Sequence, residues 1–103
     1  MSESKDDAEN KQPEVLDIRL LDTYSLLGMF VGLLIEKAWQ TMGLRTKPGT
    51  DKIEVDFDQA RVAIDTTAFL AERVAPHLPD AEKRRLEGVV ADLKLNYVRL
   101  TKT

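Results

Sequence analysis

The chain predicts an all-α fold in which a long central apolar helix is joined by an amphipathic helical pair, a three-helix arrangement completed by dimerisation. Three observations carry that expectation. Residues Leu26 to Ile35, LLGMFVGLLI, contain no charge and no hydrogen-bonding side chain, and they sit inside an apolar region too long for a strand of roughly 4 to 8 residues. Two later segments repeat apolar residues at helical spacing. Turn chemistry at Pro48-Gly49 and at Pro76 to Pro79 separates the three.

The N-terminal stretch holds five acids (Glu3, Asp6, Asp7, Glu9, Glu14) against Lys5 and Lys11, with too little apolar surface to offset the entropy of ordering. Residues 1–15 are therefore expected to be a disordered acidic tail, and 16–103 a single helical domain. Helix formation starts near Asp17 or Asp22 and runs to about Met42, with Gly43 as the C-terminal stop. Ile18, Leu21, Leu34, Ala38 and Met42 keep a helical spacing at the ends of this element, whereas its middle is apolar on every side. Such a helix needs cover from its own fold, from another copy, or from lipid.

The connector, Leu44 to Val55, has room for a brief β-bridge where Ile53, Val55 and Phe57 alternate with Glu54 and Asp56. Asp56-Phe57-Asp58-Gln59 reads as a capping box, Asp56 accepting from the first-turn amides and Gln59 reaching back to the Asp56 amide. The second helix buries Phe57, Ala60, Ile64, Thr67, Ala71 and Val74, pairs Arg61 with Asp65 and ends near Ala75, because the residue before Pro76 is pushed out of the α region. Pro79 opens the third helix, with Asp80 and Glu82 at the positive end of its dipole. Its stripe is Leu86, Val89, Val90, Leu93, Tyr97 and Leu100, with Lys83, Arg84, Glu87, Asp92 and Lys94 left largely to solvent. Gly88 costs this helix about 1 kcal/mol relative to alanine unless it admits a close contact.

Charge narrows the function classes. From Val15 onward there are 13 acids and 13 bases, so the helical part lacks the positive field with which a nonspecific nucleic-acid binder attracts phosphate, and no nucleic-acid partner is expected. The basic run Lys83-Arg84-Arg85 spreads around the helix instead of forming a stripe. The chain has no cysteine and no secretory signal pattern at its start, which fits a cytoplasmic protein. The charge-free run from Thr23 to Ile35 is 13 residues long, whereas a transmembrane span needs about 20.

Chemistry finds little purchase. His77, the only histidine, has no nucleophile and acid constellation around it, and it reads as a structural residue of the tight link Ala75 to Pro79. The acids Asp51, Glu54, Asp56 and Asp58 lack the calcium-loop glycine and closing glutamate, and a capped helix start explains them better. No glycine opens a phosphate cradle. No catalytic, metal or cofactor residue is expected, and the chain reads as a non-enzyme without cofactors.

Gly28-x-x-x-Gly32, extended by Ser25, has the small-residue spacing that lets helix backbones approach closely. The approaching helix belongs equally well to the same chain or to a second copy. Two mid-helix glycines together cost on the order of 2 kcal/mol relative to alanine, which a close contact is expected to offset. The leading expectation is a noncatalytic interaction or accessory module that forms a homodimer or other homo-oligomer, with room for an unknown protein partner. Its self-association face is Gly28, Met29, Phe30, Gly32, Leu33 and Trp39. The alternative is a peripheral membrane or hydrophobic-ligand binding protein whose pocket is lined by Phe30, Trp39 and Leu86.

From Asp56 to Val98 a particular order of residues emerges: Asp56-Phe57, Ala60-Arg61, Ile64-Asp65, Leu70, Glu72-Arg73, Leu78, Glu82, Leu86, Leu93-Lys94 and Tyr97-Val98. Upstream, Ala38-Trp39 and Met42-Gly43 fit the same pattern. Over about residues 22 to 98 the chain resembles the small bacterial family catalogued as a domain of unknown function, number 1844, departing from it at Val74-Ala75-Pro76-His77. The resemblance implies a short, soluble, helical bacterial protein and brings no catalytic residue with it.

Overall fold

The computed structural model describes residues 17–47 and 49–102. The expected tail over 1–15 lies outside them, as does Pro48 of the expected turn. Three α-helices make up the architecture: α1 (Thr23–Thr41), α2 (Phe57–Val74) and α3 (Asp80–Thr101), with 3-10 turns at Ile18–Leu20 and Ala75–His77. Among the described residues there is no strand, so the chain is all-α.

Both candidate start signals of the first helix are used, for different elements. Asp17 caps the short 3-10 turn, accepting from the Arg19 N–H, and Asp22 caps α1, accepting from the Ser25 N–H at 2.7 Å. The end of α1 is a Schellman motif: Gly43 takes a left-handed conformation (φ +87°), its N–H donates to the Gln40 carbonyl, and the Leu44 N–H donates to the Trp39 carbonyl, both at 3.0 Å. A Cβ at Gly43 would also stand 2.7 Å from a Val55 methyl, so the returning connector passes over the glycine itself. The β-bridge anticipated near Ile53 does not form. The loop is tied by the Lys47 N–H donating to the Lys52 carbonyl (2.8 Å) and the Thr50 N–H donating to the Lys47 carbonyl (3.1 Å), and Ile53 and Val55 stay exposed.

At the start of α2 the cap is present with a different wiring. Asp56 accepts from the Gln59 N–H (3.0 Å), but its own N–H goes to the Thr41 carbonyl (2.8 Å) at the end of α1, so the Gln59 side chain bonds the Asp56 carboxylate instead (3.1 Å). One residue thereby closes the α1–α2 hairpin and begins the second helix.

The core lies toward one end of the molecule. Ala38 and Met42 of α1, Ala60, Ala63 and Ile64 of α2 and Leu93 of α3 are buried together, flanked by Ile35, Trp39, Phe57, Val89, Tyr97 and Leu100. Three alanines at the centre let the helices approach closely, and Phe57 meets Tyr97 edge to face with ring centroids 6.2 Å apart. The α2 stripe is buried as its spacing requires, with Ala63 added and Phe57 at its margin. Helix α2 is the hub, since α1 and α3 both pack along it and scarcely touch one another. In consequence α1 receives cover from one helix, not two. In the N-terminal half of α1 only Val31 is buried, so the most apolar stretch of the sequence lies largely outside the core.

Candidate interaction surface

An α-helix advances about 100° per residue, and the burial of Val31 fixes which way α1 is turned. Measured from Val31, Gly28 and Gly32 fall about 60° and 100° around on one flank, Met29 and Leu33 about 160° and 200° away on the outer side, and Phe30 about 100° around on the other flank. The glycines therefore stand apart from the large side chains, which share an outer strip with Met29 at one edge and Phe30 at the other. Leu33 is 65% exposed, Phe30 45% and Met29 38%, which is a high exposure for three large side chains adjoining one another on a helix. Trp39 does not join them, because it packs against the core.

The glycine flank borders an open cleft between the N-terminal halves of α1 and α3, of about 270 Å³, whose apolar floor includes Val31, Ile35, Val74, Leu86 and Val89, with Glu82 and Arg85 among its other lining residues. Of the pocket expected from Phe30, Trp39 and Leu86, only Leu86 is found in this cleft. A Cβ added at Gly28 or Gly32 would meet nothing within 4 Å, and the same holds at Gly88. No helix of the same chain makes the close approach that the Gly28-x-x-x-Gly32 spacing suggested. On the opposite flank, Leu34 and Lys37 face Val62 and Ala63 across a shallow groove of about 380 Å³.

The N-terminus of α1 is held by an aromatic contact that the sequence did not signal. The Tyr24 ring stacks on His77 with centroids 3.7 Å apart and planes 22° apart, so the α2–α3 link clasps the first turn of α1. The Ser25 N–H bonded to Asp22 holds that carboxyl below its ordinary range, the Ser25 side chain adding to the effect and His77 contributing a smaller share. His77 thus has a structural place. Of the acids of the connector, Asp56 caps α2, Asp58 lies in its first turn and Glu54 lies 3.6 Å from Lys47. Among the described residues no three metal-ligating side chains gather at one point, and no helix is long and apolar enough to cross a membrane.

Exposed apolar residues also occur where the helical stripes gave no reason to look. Val62 and Phe69 stand on the outer side of α2, with Arg73 over the Phe69 ring at 4.8 Å, and Leu95 and Val98 stand on the outer side of α3. The usable signal was the seven-residue spacing of Val62 and Phe69, two helical turns apart and off the buried stripe.

The family model for a domain of unknown function, DUF1844, matches residues 24–99, which takes in all but the outermost residues of the three helices and both of their connections. The chain belongs to this family. The DUF1844 match begins at Tyr24 and closes at Arg99, so the Tyr24–His77 clasp, the Schellman end of α1 and the exposed strip Met29, Phe30 and Leu33 all lie within the family's domain. The departure noted at Val74 to His77 lies inside the match as well, and there the chain forms the last α2 residue and a 3-10 turn. No curated protein and no solved structure matches the chain.

Proposed function

We propose that this DUF1844 protein is a noncatalytic interaction module of the bacterial cytoplasm that self-associates through the outer side of α1. One observation carries the proposal: Met29, Phe30 and Leu33 stand exposed in the middle of a 19-residue helix. An apolar strip of this kind on a small protein marks a surface that another macromolecule covers. A second copy offers the same strip, so a two-fold axis closes both at once. The test is sedimentation equilibrium or light scattering of the full chain beside Leu33→Asp. Self-association at micromolar concentration that the aspartate abolishes, with helical content retained, is the expected result; a monomer throughout refutes it.

The cleft beside Gly28 supports a second reading, in which an apolar ligand or a lipid surface meets the α1–α3 side. Its size, about 270 Å³, is just below the roughly 300 Å³ at which small-molecule pockets begin. Native mass spectrometry and liposome flotation separate the readings: a retained ligand or a vesicle-bound fraction favours the cleft, and neither should appear if the α1 strip is the functional surface.

A further inference from the structure

The outer side of α1 carries an internal complementarity that determines how a second copy would lie on it, given self-association through that strip. Along the strip run Asp22, Leu26, Met29, Phe30, Leu33 and Lys37, which at about 100° per residue share an arc of about 100° on the outer side of the helix, with Met29 at one edge and Phe30 at the other. The ends are oppositely charged and exposed. Asp22 caps the first turn of α1, and among the described residues Lys37 donates to Gln40 (2.9 Å) and to no carboxylate. The next charge in α1, Glu36, is engaged with Arg45 of the connector.

We infer that two copies pair their α1 helices antiparallel, about a two-fold axis passing between Met29 and Phe30. In that register Leu26 faces Leu33 of the second copy, the Met29 and Phe30 side chains of both copies gather around the axis, and Asp22 at each end comes level with Lys37, so apolar meets apolar and acid meets base. A parallel pair would set Asp22 against Asp22 and Lys37 against Lys37, while covering the same apolar residues. Exposed ion pairs contribute little affinity, so burial of the leucines, Met29 and Phe30 supplies the attraction and the end charges select the direction. The groove lined by Leu34, Lys37 and Val62 lies alongside this strip and lets the contact extend onto α2.

The absence of cysteine from the sequence makes the direction directly measurable. Leu26→Cys and Leu33→Cys are oxidised separately and as a mixture. The antiparallel register predicts a disulfide between the two variants in the mixture and little in either alone, because two copies of position 26 would be separated by about 10 Å along the axis, beyond the roughly 7 Å Cα limit of a disulfide. Gln40→Cys, outside the apolar strip, carries a spin label in parallel, so the test survives if a leucine variant misfolds. Its expected inter-copy distance is roughly 33 Å, against roughly 10 to 15 Å for a parallel pair. Light scattering on the same samples separates the two levels of the inference. A monomer overturns self-association and this pairing together; a dimer with self-cross-linking cysteines, or with any other label distance, overturns the antiparallel register alone.

Discussion

Replacing Gly28 and Gly32 by alanine tests at once how α1 is turned and which of its sides meets a second copy. Each glycine lies inside the helix, and an added Cβ would meet nothing within 4 Å, so the methyl groups encounter no steric opposition within the chain. What remains is the backbone term, about 0.8 to 1 kcal/mol per glycine in favour of alanine, or about 2 kcal/mol for the pair. A domain of 60 to 100 residues gains about 4 to 8 °C in Tm per kcal/mol, so the double variant should melt on the order of 10 °C higher at a concentration where the chain is monomeric. Differential scanning calorimetry reads that shift. Sedimentation equilibrium then reads the association constant, which should stay within about threefold of its original value because the glycine flank is turned about 60° to 140° away from Met29 and Leu33, toward the cleft. A destabilised monomer would refute the open-flank geometry. A dimer weakened tenfold or more would place the second copy on the glycines and refute the outer strip as the interface.

Gly88→Ala shares the open surroundings without the proximity to α1, so it should raise stability by up to about 1 kcal/mol in chemical denaturation and leave association untouched. Gly43→Ala should go the other way, losing about 1 to 2 kcal/mol from the left-handed backbone alone, since the φ of +87° disfavours a Cβ and Val55 leaves it no room. Leu93→Ala empties a site that is 0% exposed at the meeting of all three helices, and a loss of about 2 to 5 kcal/mol is expected in urea unfolding. The depressed carboxyl of Asp22 sets a pH dependence whose sign is fixed: its stabilising contribution is complete above the unfolded carboxylate pKa of about 3.9 and is lost as pH falls through the lower folded value. Asp22→Asn, which still caps the helix, should remove that acid-limb slope from the pH profile of Tm while helical content at neutral pH is unchanged.

Local chemistry made the helix boundaries legible. Gly43, Asp22, Asp56 and Pro79 each announce a terminus through a rule that acts within four or five residues, and the structure uses all four. The buried stripe of α2 follows from period alone, as does the stripe of α3, where Leu93 is buried and Leu86, Val89, Val90, Tyr97 and Leu100 are half-buried. The mutual arrangement of the helices was not legible, because amphipathicity says that a face is buried and not which neighbour buries it. Placing both later helices against α1 assigned it cover that α3 gives mostly to α2. The Gln59 contact was redirected for a related reason: the Asp56 N–H found the Thr41 carbonyl, 15 residues earlier, a partner no local pattern can name. The Tyr24–His77 stack is another such pair, two residues unremarkable in their own segments that adjoin only once α2 has folded back along α1.

The same distinction bears on the apolar run at the centre of α1. Its composition required cover on every side, and its glycines suggested that the cover would come at the glycine flank. The fold separates those two inferences. Ala38 and Met42 anchor α1 in the core through its inner side, Gly28 borders an open cleft, and the large side chains at 29, 30 and 33 project away from the core. The exposure of these side chains beside a core built from alanines is the observation on which the proposed self-association rests. The charged residues that end the strip, Asp22 and Lys37, lie about 22 Å apart along the axis, a length that an oppositely directed copy of the same segment matches end for end.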